Sequence, residues 1–401
     1  MASIVTVFVF FILTALVVII SEAADQYYVT EGNAFEILKN YPVSVQNKDK
    51  TMQANSPAGT SYDVDIKLLG IIPIKDVAVQ VVSSKMVVPG GEAFGIKLYT
   101  DGVMVVGISD IETPDQSACP ARDAGIKEGD MIVSIDDIQV QSNEEVQQMV
   151  EKSGGTTLKI LLKRDSQNKT VHLIPVRSAV DGNYKIGLWV RDSSAGIGTV
   201  TFYDIESGVF GGLGHGICDV DTEEIMPIMT GEAADVRISG IAKGVAGTPG
   251  ELKGTFLANR AFGTLVMNNE TGIYGITQIK DTEQPVPVAL KQEIKTGKAQ
   301  MISTLADNKK EFFDIEIEKI QLNENQETKN MIVKVTDPRL VEQTGGIVQG
   351  MSGSPIIQNG RLVGAVTHVF INDPQKGYAI FAENMLRSAK SVETKLYDKA
   401  S

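Results

Sequence analysis

The 401-residue chain is short of the residues that most site chemistry relies on: two cysteines, three histidines, one tryptophan and 14 prolines. Two thiols, Cys119 and Cys218, make neither a disulfide framework nor a four-cysteine zinc site. Three separated histidines show no ligand spacing, so no metal and no organic cofactor is expected. Positive charge is scarce as well, with 37 Lys and Arg against 50 Asp and Glu and a formal net charge of −13. Binding to nucleic acid needs a positive field that displaces counterions, and no nucleic-acid partner is expected. With 43% hydrophobic residues and little proline, the chain is too apolar for a disordered one. Its length allows two or three domains, each with its own core. If imidazole runs the chemistry, only His172, His215 and His368 are available.

The longest apolar run is residues 4–20 (IVTVFVFFILTALVVII), followed by the first charged side chain, Glu22. Residues 1–24 therefore read as an export signal or a membrane anchor, although no Lys or Arg precedes the run. Ser21-Glu22-Ala23 has the small-x-small pattern of a cleavage site, so the mature chain is expected to work outside the cytoplasm. Residues 25–94 read as a polar, turn-rich stalk and a short β-rich segment from Tyr62.

Residues 95–184 read as a compact α+β unit. Gly95, Ile96, Lys97 and Leu98 alternate as a strand, and Ala121-Arg122-Asp123-Ala124-Gly125-Ile126-Lys127-Glu128-Gly129-Asp130-Met131-Ile132 reads as short helix, turn and strand entry. Ser142 and Glu145 form a capping box for a helix with Val146, Met149 and Val150 on one face. This pattern resembles a PDZ domain in the arrangement of exported bacterial proteases. PDZ domains bind extended peptides by adding a strand beside a helix. The resemblance implies a groove between residues 95–98 and the helix carrying Val146 and Val150.

Residues 185–401 show short strands between glycines and prolines, the mark of an all-β barrel or sandwich, closed by a helix from Ala382. Within them stands Gly350-Met351-Ser352-Gly353-Ser354-Pro355. A serine that attacks an acyl carbon needs exposure on a tight turn, a base, and N–H groups aimed at the oxyanion. This turn supplies the first and third, with Ser352 as nucleophile and the N–H groups of Gly350 and Ser352 as the oxyanion hole. Taken alone it also reads as an ordinary β-turn. His215 sits among small residues in Gly211-Gly212-Leu213-Gly214-His215-Gly216, 137 residues before Ser352. In the chymotrypsin-type template that separation is roughly 140. His172 reads as a structural or exposed bystander. His368 follows the nucleophile on a strand run and is a candidate wall of the specificity pocket.

The His215 loop, the upstream PDZ-like unit, and residues 336–349 leading into GMSGSP resemble the SpoIVB peptidases over about residues 60–390. That resemblance implies a PDZ domain followed by a chymotrypsin-like double β-barrel, and a catalytic set of His215, Asp337 and Ser352. It also implies secretion into the space between the two forespore membranes. There the enzyme would cleave its own N-terminal region and a membrane-associated regulator of an intramembrane protease, releasing a late sigma factor. The acid is the open member. The template places it about 45 residues after the histidine, and no Asp lies between Asp235 and Asp281. Asp235 competes with Asp337; Asp219 is too close to His215 to turn back onto it. Two other functions compete: a non-catalytic PDZ adaptor with a degenerate protease domain, and a degradative HtrA-type protease, whose PDZ follows the catalytic domain.

Overall fold

A computed structural model describes residues 25–32, 35, 43–48, 56–165, 167–278, 284–306, 309–322 and 327–400. The expected export segment, residues 1–24, lies outside them. Among the described residues no helix is long and apolar enough to cross a membrane.

The chain is mainly β. Where a stalk followed by a short β-rich segment was expected there is a four-stranded sheet, ordered Gln26–Thr30, Ile72–Val82, Ser61–Leu68, Val43–Asn47, with the first pair parallel. Alternation decides this: Val64, Ile66, Val77, Val79 and Val81 point to one face and bury against Tyr27.

Two closed six-stranded barrels follow. The first runs Ala93–Ile108, Thr230–Ala242, Glu251–Asn269, Gly272–Thr277, Val209–Gly212, Leu188–Tyr203 and back to Ala93–Ile108. The second runs Gly297–Thr304, Lys310–Ile320, Met331–Val335, Asp373–Phe381, Arg361–Phe370 and Pro355–Gln358. Closure removes the unpaired edges that an open sheet of such strands would expose.

The PDZ unit is inserted into the first barrel. Ala93–Ile108 and Leu188–Tyr203 pair with each other over nearly their whole length. Residues 93–99 and 193–203 belong to the barrel, whereas residues 103–108 and 188–191 belong to the PDZ sheet with Met131–Ile135, Leu158–Arg164 and Gln167–Leu173. The switch sits at Gly102, whose φ is +115° and whose added Cβ would lie 2.6 Å from the Ile132 carbonyl. There the hydroxyl of Thr100 donates to the carbonyls of Gly102 (2.6 Å) and Asp192 (3.0 Å), tying the two strands together. The expected boundary at residue 95 is therefore displaced into the barrel. The predicted helix is present as Asn143–Lys152, its first turn capped by Ser142 Oγ, which accepts from Glu145 N. The C-terminal helix, Ala382–Ala400, packs across strands of both barrels.

Candidate active site

Ser352 stands on a turn that the first barrel grips through the backbone. Thr199 donates its N–H to the Ser352 carbonyl (2.9 Å) and its hydroxyl to the Gly350 carbonyl (2.8 Å). Two residues on, Thr201 donates its hydroxyl to the Gly353 carbonyl (2.8 Å). Gly353 N–H donates to Val366 O (2.7 Å), Met351 N–H to Val348 O (3.1 Å) and Ser354 N–H to Met351 O (2.9 Å). Two N–H groups are left over: among the described residues, neither Gly350 nor Ser352 has an acceptor for its N–H. The Gln349 carbonyl is taken by Leu252 N–H at 2.8 Å. A trans peptide sends its C=O and N–H opposite ways, so the Gly350 N–H faces away from Leu252. Glycine is required here. Gly350 and Gly353 have φ of +96° and +95°, and a Cβ on Gly353 would sit 2.0 Å from Thr199 O.

The first barrel brings His215 to the same place. Leu213 and Gly214 both have positive φ, and a Cβ on Gly214 would lie 2.9 Å from Thr367 Cγ2. Thr367 is the residue whose carbonyl accepts from Ser352 Oγ at 2.7 Å. The loop of His215 and the hydroxyl of Ser352 thus meet at one residue of the second barrel. Nδ1 of His215 bonds the Gly216 carbonyl at 2.8 Å, which fixes the tautomer with Nε2 unprotonated and available as a base. Burial lowers the His215 pKa, and the Gly216 carbonyl opposes that by favouring the charged ring. The His368 ring lies against that of His215, with centroids 4.6 Å apart and planes tilted by 36°. Its pKa falls to about 4, from burial first, then from the charges of His215 and Lys329. A cleft of about 570 Å³ opens beside Gly350, lined by Gly196, Ile197, Leu252 and Phe256 among others.

Asp337 is placed elsewhere. It is the N-cap of the Pro338–Thr344 helix, accepting from Arg339 N–H (2.9 Å), from the Arg339 guanidinium (2.8 Å) and from Asp314 N–H (3.3 Å). These contacts account for its carboxylate, and none is to His215. The Arg339 guanidinium beside it holds its pKa below the usual carboxylate range. Asp235 is half-buried on Thr230–Ala242 opposite Phe94. Asp219 is buried in an ion pair with Arg191. His172 is exposed on Gln167–Leu173, paired with Lys159.

The expected peptide groove needs correction. Residues 95–98 (Gly95, Ile96, Lys97, Leu98) are hydrogen-bonded on both sides, to residues 194–197 and to residues 231–234. A strand with both edges taken accepts no peptide. The backbone beside the Asn143–Lys152 helix is instead residues 184–192. Tyr184 N–H donates to Glu151 Oε2 (2.7 Å) at one end and Asn143 N–H to Asp192 Oδ2 (2.9 Å) at the other. Val146 and Val150 are each 4% exposed and sit in the core of this unit.

Sequence reasoning passed over Thr199 and Thr201. Their alternation on a strand, i and i+2, was the available signal, since it places both hydroxyls on one face.

The family model of the SpoIVB peptidase S55 matches residues 182–386, just over half of the chain, and a PDZ domain model matches residues 116–164. No curated protein matches the sequence. Among solved structures, the PDZ domain of an SdrC-like protein from Listeria monocytogenes is 26% identical over 22% of this chain and 87% of its own, with a TM-score of 0.19. The HtrA-type protease AlgW with a decapeptide is 11% identical over 75% of this chain and 64% of its own, with a TM-score of 0.31.

Proposed function

The chain belongs to the SpoIVB peptidase S55 family and is a serine endopeptidase, and from that premise we propose how it cuts and what it cuts. Ser352 attacks the scissile carbonyl. His215 Nε2 takes its proton and returns it to the leaving amine, while the Gly216 carbonyl holds Nδ1–H. The N–H groups of Gly350 and Ser352 receive the oxyanion. The observation that carries this reading is the pair of N–H groups without acceptors, on a turn whose other backbone groups are bonded. His368, lying against the base, walls the pocket for the substrate residue next to the cut.

Asp337 acts by position. By capping the helix that leads into residues 345–350 it fixes the approach to the nucleophile turn. The substrates are proteins: the chain's own N-terminal region and a membrane-associated regulator of spore formation, met outside the cytoplasm in the space between the forespore membranes. The family membership and the apolar run at residues 4–20 support this. The PDZ unit tethers an extended peptide along residues 188–192, beside the Asn143–Lys152 helix.

Full-length protein mixed with a Ser352→Ala copy as substrate tests the reading. The active chain is expected to cleave the inactive one in trans, and Ser352→Ala alone to cleave nothing. Cleavage by Ser352→Ala would remove the serine mechanism. A folded wild type without cleavage would favour the adaptor reading.

A further inference from the structure

The hairpin joining Ser61–Leu68 to Ile72–Val82 ends in an apolar tip. Leu69 is 54% exposed, Ile71 80% and Ile72 37%. Leu69 and Gly70 have φ of +52° and +74°, a tight turn of the kind usually built from polar residues and glycine. The tip is not needed for the core of its sheet, since Val64, Ile66, Leu68, Val77, Val79 and Val81 are all buried without it. Contiguous exposed apolar side chains on a small domain mark a contact surface.

The parallel pairing says what lies beside this tip. Gln26 pairs with Ala78, and the Asp25 carbonyl accepts from Ala78 N–H at 3.0 Å. Because Gln26–Thr30 and Ile72–Val82 run the same way, the chain before Asp25 leaves the sheet at the end where Ile72 begins. The apolar run of residues 4–20 ends five residues before Asp25, a reach of up to about 17 Å. From Ala78 back to Ile72 the strand covers about 20 Å. A fully extended link from Asp25 would bring the end of the run close to the level of the tip, at the same end of the sheet. Lys75, paired with Asp25 at 2.7 Å, and Lys67, bonded to Gln46 at 2.5 Å, stand one layer behind the apolar side chains. Next come Lys48, Asp65 and Asp76, joined in one cluster. Apolar residues in front of lysines match the order of acyl chain and headgroup at a bilayer surface.

We propose that residues 69–72 insert into the bilayer interface as a second membrane contact, beside the segment of residues 4–20. The tip fixes the orientation of the N-terminal sheet on the membrane, which a single point of attachment would leave free. It goes beyond the protease chemistry and rests on the reading of residues 4–20 as a retained membrane segment.

Trp189 is the chain's sole tryptophan, so the full-length double variant Trp189→Phe/Ile71→Trp reports on the tip alone. It is incorporated into phosphatidylcholine vesicles containing a minority of phosphatidylglycerol, with and without acyl-brominated lipid. The expected result is flotation with the vesicles, a blue-shifted emission and quenching by the brominated lipid. Wild-type Trp189 serves as the unquenched control. Flotation with a water-like, unquenched emission overturns the proposal. A blue shift without quenching also overturns it, because that is the signature of a protein contact such as a second copy. Failure to float overturns it too. Ile72→Trp, read in the same way, replaces Ile71→Trp if the latter alters the circular dichroism.

Discussion

The backbone of the turn proposed to carry the nucleophile and the imidazole ring of the proposed base are held in different ways. The Ser352 turn, from the second barrel, is clamped by Thr199, Thr201, Leu252 and Val366, and among the described residues the N–H groups of Gly350 and Ser352 are left without an acceptor. The histidine, from the first barrel, has one hydrogen bond to its own neighbour and one ring lying against it. An oxyanion hole works by being in place before charge develops, so its donors must not reorganise. A general base has to accept and release a proton, and a ring held by fewer bonds keeps the freedom to do so.

Overfilling the rigid side should break this contrast most completely. Gly353→Ala drives a Cβ into the Thr199 carbonyl, and the expected result is turnover at background with a stability loss on the order of 3 kcal/mol. Denaturant unfolding alongside the cleavage assay checks both; an active, stable Gly353→Ala would show that the turn is not clamped. A gentler cut removes one grip. Thr199→Val leaves the half-buried Gly350 carbonyl without its hydroxyl, worth about 1 kcal/mol, so kcat should fall up to about tenfold with KM unchanged. Thr199→Ser should restore it, and equal losses in both variants would deny the hydroxyl a role.

Asp337→Asn separates positioning from catalysis. The amide still caps the helix but loses the Arg339 ion pair, so a stability cost of about 1 kcal/mol and turnover within about tenfold of wild type are expected. A loss of about 10⁴ at unchanged stability would instead make Asp337 the triad acid. The smallest effect is read from pH. Because burial lowers the His215 pKa, the base stays neutral to below the ordinary histidine value, and activity is lost only as pH falls through the lowered one. The acid limb of kcat/KM should therefore have its midpoint below about 6.5; a midpoint above that value would mean a ring stabilised in its charged form.

Local features are legible in the sequence alone. The capping box at Ser142 and Glu145 and the helix–turn–strand around Gly125 and Gly129 depend on contacts within a few residues, and the GMSGSP turn is legible from its glycines although distant residues hold it. Spacing and context also pair Ser352 with His215. Residues 95–98 are misread for a physical reason: an alternating strand looks the same whichever partners it finds. Its two neighbours come from residues far along the chain, so its lack of a free edge is invisible locally. Asp337 is ambiguous likewise, since a helix N-cap paired with Arg339 and a triad acid have the same local sequence.

What the sequence determined by itself is the inventory: a mainly β chain, one serine on a glycine turn and three imidazoles to choose from. Tertiary structure decided where the PDZ unit is inserted, which strand lies beside its helix, and which backbone N–H groups are left without acceptors. Those facts depend on barrel closure, which brings Thr199 to Ser352 across some 150 residues. No local propensity encodes a partner at that distance; burial and hydrogen-bond satisfaction over the whole closed sheet select it.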